Sequence, residues 1–229
     1  MALFVLATAV AILQSRPQSA PDCDDPGVAR SLVSAMQGAP LSRAMITGSS
    51  GALHGTPQVQ SVAQLAYARR AGVRACKGTL AMADGAHPMA FTIHLDKASK
   101  SGFYLVGAAP SVLAAGYSRL NQDGKFAEYV GPIGRRRLKQ AFRDGVARLQ
   151  PGAQENSAEI GAIEPAAACR PSRGSTVLRC RLLVERRPGT LLDGDFTFER
   201  DPQSGNWNPA RSFGAEFDKA IAAAQADRQ

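Results

Sequence analysis

The placement of four cysteines constrains what this chain can fold into more than any other feature of its sequence. They are Cys23, Cys76, Cys169 and Cys180, and their spacing contains no Cys-x-x-Cys element. This spacing argues against a zinc ribbon and against a thioredoxin-like redox site. An even number of cysteines predicts two disulfides in an oxidising compartment. Of three possible pairings we favour Cys23–Cys76 with Cys169–Cys180, because the turn-like residues 171–174 would bring the last two cysteines face to face across a hairpin.

The first twenty residues differ from everything that follows. Met1–Leu13 is apolar and uncharged, and as a helix it would rise about 20 Å, which is short of the roughly 30 Å hydrocarbon core of a membrane. That length is typical of the apolar region of a signal peptide, and Gln18-Ser19-Ala20 would supply the cleavage site before Pro21. No basic residue precedes Arg16, which departs from the usual pattern. We therefore predict that residues 1–20 are either a signal peptide or a short N-terminal anchor of an exported, periplasmic or secreted protein.

The chain is basic along its whole length. Its 229 residues carry a formal net charge of +8, and residues 24–117 and 118–229 hold equal net positive charge. An even spread of charge favours solubility and weak attraction to anionic envelope surfaces over a dedicated nucleic-acid groove. We therefore expect no nucleic-acid partner.

Periodic patterns predict a helix followed by strands in the first half. Asp24 or Asp25 can cap the helix, Pro26 suits its first position, and the apolar positions after it fall four apart. Those positions are Val28, Leu32 and Met36. Strands are predicted at Ala44–Gly55, Val73–Ala83, Met89–Leu95 and Phe103–Gly107, with a tight turn at Asp84-Gly85.

The second half repeats this order of elements and adds a terminal helix. An apolar stripe predicts a helix over Pro132–Gln150, and another predicts the final helix over Ala210–Ala226. Strands are predicted at Ala158–Ala168, Thr176–Arg186, Leu191–Arg200 and near Trp207.

Three short segments of the first half recur in the second half at nearly the same offset. Cys76-Lys77 matches Cys180-Arg181, Phe91-Thr92-Ile93 matches Phe196-Thr197-Phe198, and Ser101-Gly102-Phe103-Tyr104 matches Ser204-Gly205-Asn206-Trp207. We predict two similar α+β units over residues 21–117 and 118–229, the second with the C-terminal helix; the alternative is a chance similarity of two α+β halves. A helix followed by four antiparallel strands resembles the cystatin-like and NTF2-like folds among bacterial exported proteins. This resemblance of architecture implies no catalytic residue.

The sequence matches no catalytic or cofactor-binding motif. Its three histidines are His54, His87 and His94, and no HxxxH, HxH or Cys/His cluster joins them, so we expect no metal site. It has no GxSxG or SxxK serine signature and no phosphate-cradling glycine loop. We therefore expect no cofactor.

Two groups of carboxylates could serve acid–base chemistry. Glu155, Glu159 and Glu164 lie in one stretch, and Asp193 and Asp195 lie in another. Hydrolysis of a glycosidic bond needs a pair of such groups. We expect instead a solvated strand edge at the first stretch and a turn at Asp193-Gly194.

The sharpest concentration of charge is Arg135-Arg136-Arg137-Leu138-Lys139. It falls near the start of a predicted helix, where each cation opposes the helix macrodipole by up to about 1 kcal/mol. The run is therefore either a patch that meets an anion or an acidic partner, or a solvated helix end. The single tryptophan, Trp207, is either a contact aromatic or a cover for the core.

These patterns favour a non-catalytic exported binding protein of the bacterial envelope. We expect its partner to be another envelope protein, in an inhibitor, immunity-type or assembly role, with weak contact to anionic envelope surfaces. One alternative is an envelope hydrolase that uses acid–base residues among Glu155, Glu159, Asp193, Asp195 and His94. Another is a structural protein that Met1–Leu13 anchors to the envelope.

Overall fold

The computed structural model describes residues 19–48, 55–114, 132–149, 160–172, 176–186 and 189–226. Within these ranges the chain is an α+β protein with two antiparallel sheets and a C-terminal helix, as the sequence predicts. The helices with both ends in these ranges are α1 (Pro26–Gly38), α2 (Pro40–Thr47), α3 (Arg135–Leu149) and α4 (Phe213–Ala226), with a 3-10 turn at Arg69–Ala71. Residues 110–114 are also helical. No helix in the described ranges is long and apolar enough to cross a membrane.

Both sheets run through their main strands in chain order. The first contains β1 (Gln58–Ala68), β2 (Val73–Met82), β3 (Gly85–Leu95) and β4 (Phe103–Gly107). The second contains β5 (Ile160–Pro165), β7 (Val177–Arg186), β8 (Thr190–Arg200) and β9 (Trp207–Pro209), and the short β6 (Arg170–Pro171) pairs with β7. Antiparallel neighbours in chain order need only short connections, so each sheet is built from hairpins. The similarity of the two predicted units stays a prediction.

Helix α1 forms where the sequence predicts it and for the predicted reason. Asp25 caps it, because a carboxylate oxygen accepts from the backbone N–H groups of Gly27 and Val28 at 2.6 and 3.3 Å. Its apolar stripe is fully buried against the first sheet. The first core therefore forms between α1 and the sheet residues Cys76, Leu80, Phe91 and Ile93.

The prediction of a strand at Ala44–Gly55 is wrong for its described part. Residues 40–47 form α2 instead, with Pro40 at the first turn and Gly48 ending the helix at a φ of +74°. A short apolar segment has the same composition in a helix and in a strand, and here the proline favours the helix start. The sequence pattern does not predict strand β1. Two register shifts and a positive φ at Ser61 interrupt the alternation of its side chains between the two faces of the sheet.

The two disulfides form in the pairing that the sequence favours. Cys23–Cys76 joins the segment before α1 to β2, with Cα atoms 5.8 Å apart. Cys169–Cys180 joins the segment after β5 to β7, with Cα atoms 4.3 Å apart. Each bond closes a loop and contributes about 2–4 kcal/mol by restricting the unfolded chain.

The second core is built around phenylalanines from both helices and the sheet. The ring of Phe142 on α3 lies 4.9 Å from that of Phe196 on β8 and 5.2 Å from that of Phe213 on α4, both in edge contacts. Phe198 and Phe217 complete this aromatic cluster. Edge contacts of this kind add about 0.5–1.5 kcal/mol each to the burial of the rings. The position of α3 on the second sheet is therefore closely defined.

Helix α2 joins the two sheets. Its Ala44 packs with Ala166 and with Leu183 of β7 in a small buried cluster. Farther along the chain, Ala109 and Val112 pack into the second core, although they precede the predicted boundary at residue 117. The boundary itself lies outside the described residues.

The close approach of α3 and α4 predicts that Gly145→Ala is destabilising. A Cβ atom at this position would lie 2.5 Å from the ring of Phe213, and overpacking of this kind costs about 1–3 kcal/mol. Urea denaturation of the oxidised protein measures the free energy of unfolding. The control is Gly38→Ala in α1, where a Cβ meets nothing within 4 Å and a slight stabilisation is expected. Equal stability of both variants would contradict the packing described here.

Candidate functional site

The packing of α3 on the second core determines which of its cationic side chains face outward. Its apolar residues lie on the second core, and the preceding Ile133 is buried beside them. Because 3.6 residues make one turn, the residues between the apolar positions point away from the core. Arg136, Arg137 and Arg143 are accordingly exposed. The predicted basic run therefore lies on a helix whose position is set by its packing on the second core.

These cations line a cavity at the start of α3. Its volume is about 680 Å³, and we call it the cationic cleft. Its described lining residues are Gly134, Arg135, Arg136, Arg137, Lys139, Gln140 and Arg143. The first turn of α3 contains no acidic residue, so the positive end of the helix dipole adds to the charge of the side chains. An anion in the cleft would be attracted by both.

One buried carboxylate, that of Glu164 on β5, pairs with two cations of the cationic cleft. Arg135 forms an ion pair with Glu164, and the Lys139 amine donates a hydrogen bond of 2.8 Å to its other oxygen. Glu164 is only 8% exposed, so the expected solvated strand edge is wrong at this residue. A buried carboxylate needs cationic or hydrogen-bonding partners to remain charged. Arg135 and Lys139, one helical turn apart, supply them.

The environment of Lys139 makes its charge sensitive to pH. Burial of the amine, followed by the positive charges of Arg135 and Arg143, lowers the pKa of Lys139 to about 8. Below that pH the cleft holds five cationic side chains. Above it, Lys139 becomes neutral while the arginines keep their charge. The net positive charge of the cleft therefore decreases as the pH rises through about 8.

Sequence reasoning found the arginine run but missed Glu164 as its counterion and Arg143 as a member. Both carry a signal in the sequence. Arg143 follows Lys139 by one helical turn, and Glu164 is an isolated acid between Ile163 and Pro165 in an apolar strand. An isolated carboxylate in an apolar strand predicts a buried ion pair, but the identity of its partner requires the tertiary fold.

The residues proposed for hydrolysis have other partners. Asp193 forms two hydrogen bonds of 2.8 Å with Arg181, and Asp195 forms one of 3.1 Å with Arg179, across neighbouring strands. Asp193 and Gly194 lie within β8, so the predicted turn at this point is wrong.

His94 lies on the first sheet, at the end of β3. Its ring contacts the Thr92 hydroxyl at 2.9 Å and stacks on Tyr104 at 4.7 Å. Burial lowers the pKa of His94 and so favours the neutral ring. Glu155 and Glu159, the remaining members of the hydrolase hypothesis, lie outside the described residues. In the part of the chain that the structure describes, no group of three or more His, Cys, Asp or Glu residues could hold a metal ion.

Trp207 begins β9, the last strand of the second sheet. It is partly buried and packs against the second core. This position gives the side chain a structural role, as one of its two predicted roles requires. Part of the side chain is exposed, and its role as a contact aromatic stays a prediction.

Comparison with known proteins assigns no family to the chain. No family profile matches it, and no characterised protein matches its sequence. The α+β class is shown by the structure, while the resemblance to cystatin-like and NTF2-like folds stays a prediction.

The buried position of Glu164 predicts that Glu164→Gln strongly destabilises the protein. The amide keeps the shape of the side chain but removes the negative charge that faces Arg135 and Lys139, and breaking a buried ion pair costs about 3 kcal/mol or more. The matched control is Asp195→Asn, because its pair with Arg179 is exposed and contributes at most about 1 kcal/mol. Urea denaturation at pH 7 compares the two. A loss for Glu164→Gln no larger than for Asp195→Asn would show that the cleft does not depend on this carboxylate.

Proposed function

We propose that this chain is a non-catalytic, exported binding protein of the bacterial envelope that holds an acidic segment of another envelope protein in its cationic cleft. The observation that carries this proposal is the concentration of five cations around one cavity, with Glu164 beneath two of them. The role is that of an inhibitor, an immunity-type protein or an assembly factor.

The cleft has the properties that recognition of an acidic protein requires. Arg136, Arg137 and Arg143 are exposed, so they attract an approaching anion at long range and raise the rate of association. A guanidinium group can bind a carboxylate through two parallel hydrogen bonds, which fixes its orientation. The rigid attachment of α3 to the second core reduces the entropy lost on binding.

Export is supported by two independent features. The sequence begins with the apolar run Met1–Leu13, and both disulfides fit an oxidising compartment. A small disulfide-bonded scaffold without a catalytic motif suits an inhibitory or assembly role. The hydrolase alternative lacks a comparable observation, because its described aspartates are paired with arginines.

We also infer that the chain contains two similar cystatin-like or NTF2-like units. Two matching residue pairs support this inference: Cys76 lies opposite Phe91 in one hairpin, and Cys180 lies opposite Phe196 in the other. A helix packs over each of these pairs, through Leu32 in the first unit.

Charge reversal in the cleft tests the proposed function. Tagged protein is cross-linked in its own cell envelope and recovered, and captured proteins are quantified by mass spectrometry. We expect Arg136→Glu/Arg137→Glu to reduce recovery of the specific partner at least tenfold, since two attractive contacts become repulsive. The control is Arg69→Glu/Arg70→Glu, which changes the net charge equally at another exposed site. Equal recovery by wild type and both variants would reject the cleft as the binding site.

The pKa of Lys139 predicts that binding weakens as pH rises. An oligoglutamate peptide serves as the probe, because its carboxylates stay ionised from pH 6.5 to 9.5. Lys139 loses its positive charge above about pH 8, so affinity measured by calorimetry should fall several-fold across this range, corresponding to about 1 kcal/mol. Lys139→Arg keeps its charge and should show a flatter profile. Identical pH profiles for both proteins would show that Lys139 does not contribute to binding.

A further inference from the structure

The segment before α1 is built into the first core. Ala20 is 1% exposed and packs in the same cluster as Leu32 and Phe91. Three residues later, Cys23 is bonded to Cys76 of β2. We call residues 19–25 the N-terminal clasp.

Arg74 of β2 holds the N-terminal clasp from the sheet side. Its side chain is 10% exposed. One terminal nitrogen donates a 3.0 Å hydrogen bond to the backbone oxygen of Ala20, and the same nitrogen lies 3.0 Å from the carboxylate of Asp22. The other donates to Gln64, and the guanidinium lies 4.3 Å from the centre of the Tyr67 ring. A guanidinium this deeply buried depends on these partners.

Cleavage after Ala20 would remove part of this arrangement. Arg74 would lose the Ala20 oxygen as an acceptor, and the core would lose the Ala20 methyl group. The new chain end would place the charged amine of Pro21 next to Asp22, in the neighbourhood of the buried guanidinium. Loss of the Ala20 oxygen acts against the folded state, because a buried donor without its acceptor is costly. The positive amine would also repel the Arg74 guanidinium and compete with it for Asp22.

We infer that residues 19–25 belong to the mature folded protein and that any peptidase processing of the chain falls N-terminal to Ser19. The inference rests on the export named in the proposed function. It differs from the cleavage site expected at Gln18-Ser19-Ala20, which would fall after Ala20. Gln18 is also larger than the small residue that a signal peptidase site takes two positions before its last residue. Where no peptidase acts within residues 1–18, Met1–Leu13 stays joined to the folded protein as a membrane tether.

Two purified chains test the clasp without reference to export. One starts at Ser19 and the other at Pro21, both released from a removable tag and oxidised. We expect the Pro21 chain to melt about 5 °C lower, since loss of a hydrogen bond to a charged donor lowers the midpoint by several degrees in a chain of this size. In an Arg74→Met background the difference between the two starts should shrink, because the shared partner is gone. Equal melting of the two chains with Arg74 present would overturn the inference.

The N-terminus of the protein in cells gives the second test. Full-length protein is expressed in a bacterial host, recovered from the envelope fraction, and its first residue is determined by mass spectrometry. A start at or before Ser19 supports the inference, and a start at Pro21 overturns it. Alkylation of free thiols in the same sample reports export separately: reduced cysteines would count against the proposed function, while the melting comparison would still decide the role of the clasp.

Discussion

The packing of α3 on the second sheet determines where every cation of the cleft lies. Edge contacts between Phe142 and the rings of Phe196 and Phe213 set the rotation of the helix about its axis. Gly145 allows α4 to approach closely on the same side. Once the apolar face is buried, Arg136, Arg137 and Arg143 face outward, while Arg135 reaches the buried Glu164. The core thereby determines the charge pattern of the surface.

Two clusters, each built around one buried charge, also fix positions in this protein. Glu164 holds Arg135 and Lys139 at the cationic cleft, and Arg74 holds Asp22 and the Ala20 oxygen at the N-terminal clasp. Removing charges from water is costly, so such clusters add little net stability compared with an apolar core. They do fix geometry, because the buried charges of Glu164 and Arg74 are strongly unfavourable without their partners. In this protein one cluster positions a binding surface and the other positions the start of the folded chain.

Prediction from sequence succeeded where one residue pattern admits one structure. The apolar stripes of α1 and α3 belong to this group. The cysteine pairing was favoured among three, and it is confirmed. It failed at α2, whose short apolar segment suits either a helix or a strand, and at β1, where bulges break the alternation. It also failed at Asp193-Gly194, since an Asp-Gly pair is a turn signal that cross-strand pairing with Arg181 overrides.

The sequence by itself determined the α+β class, the formation of two disulfides and the presence of a basic helix start. Local periodicity and cysteine number are properties of neighbouring residues, so they need no knowledge of the fold. The tertiary structure alone decided that Glu164 lies beneath Arg135, 29 positions earlier, and that Ala20 meets Arg74, 54 positions later. Contacts of this kind join residues far apart in the chain, and their energy depends on burial, which exists only after the sheets and helices have packed.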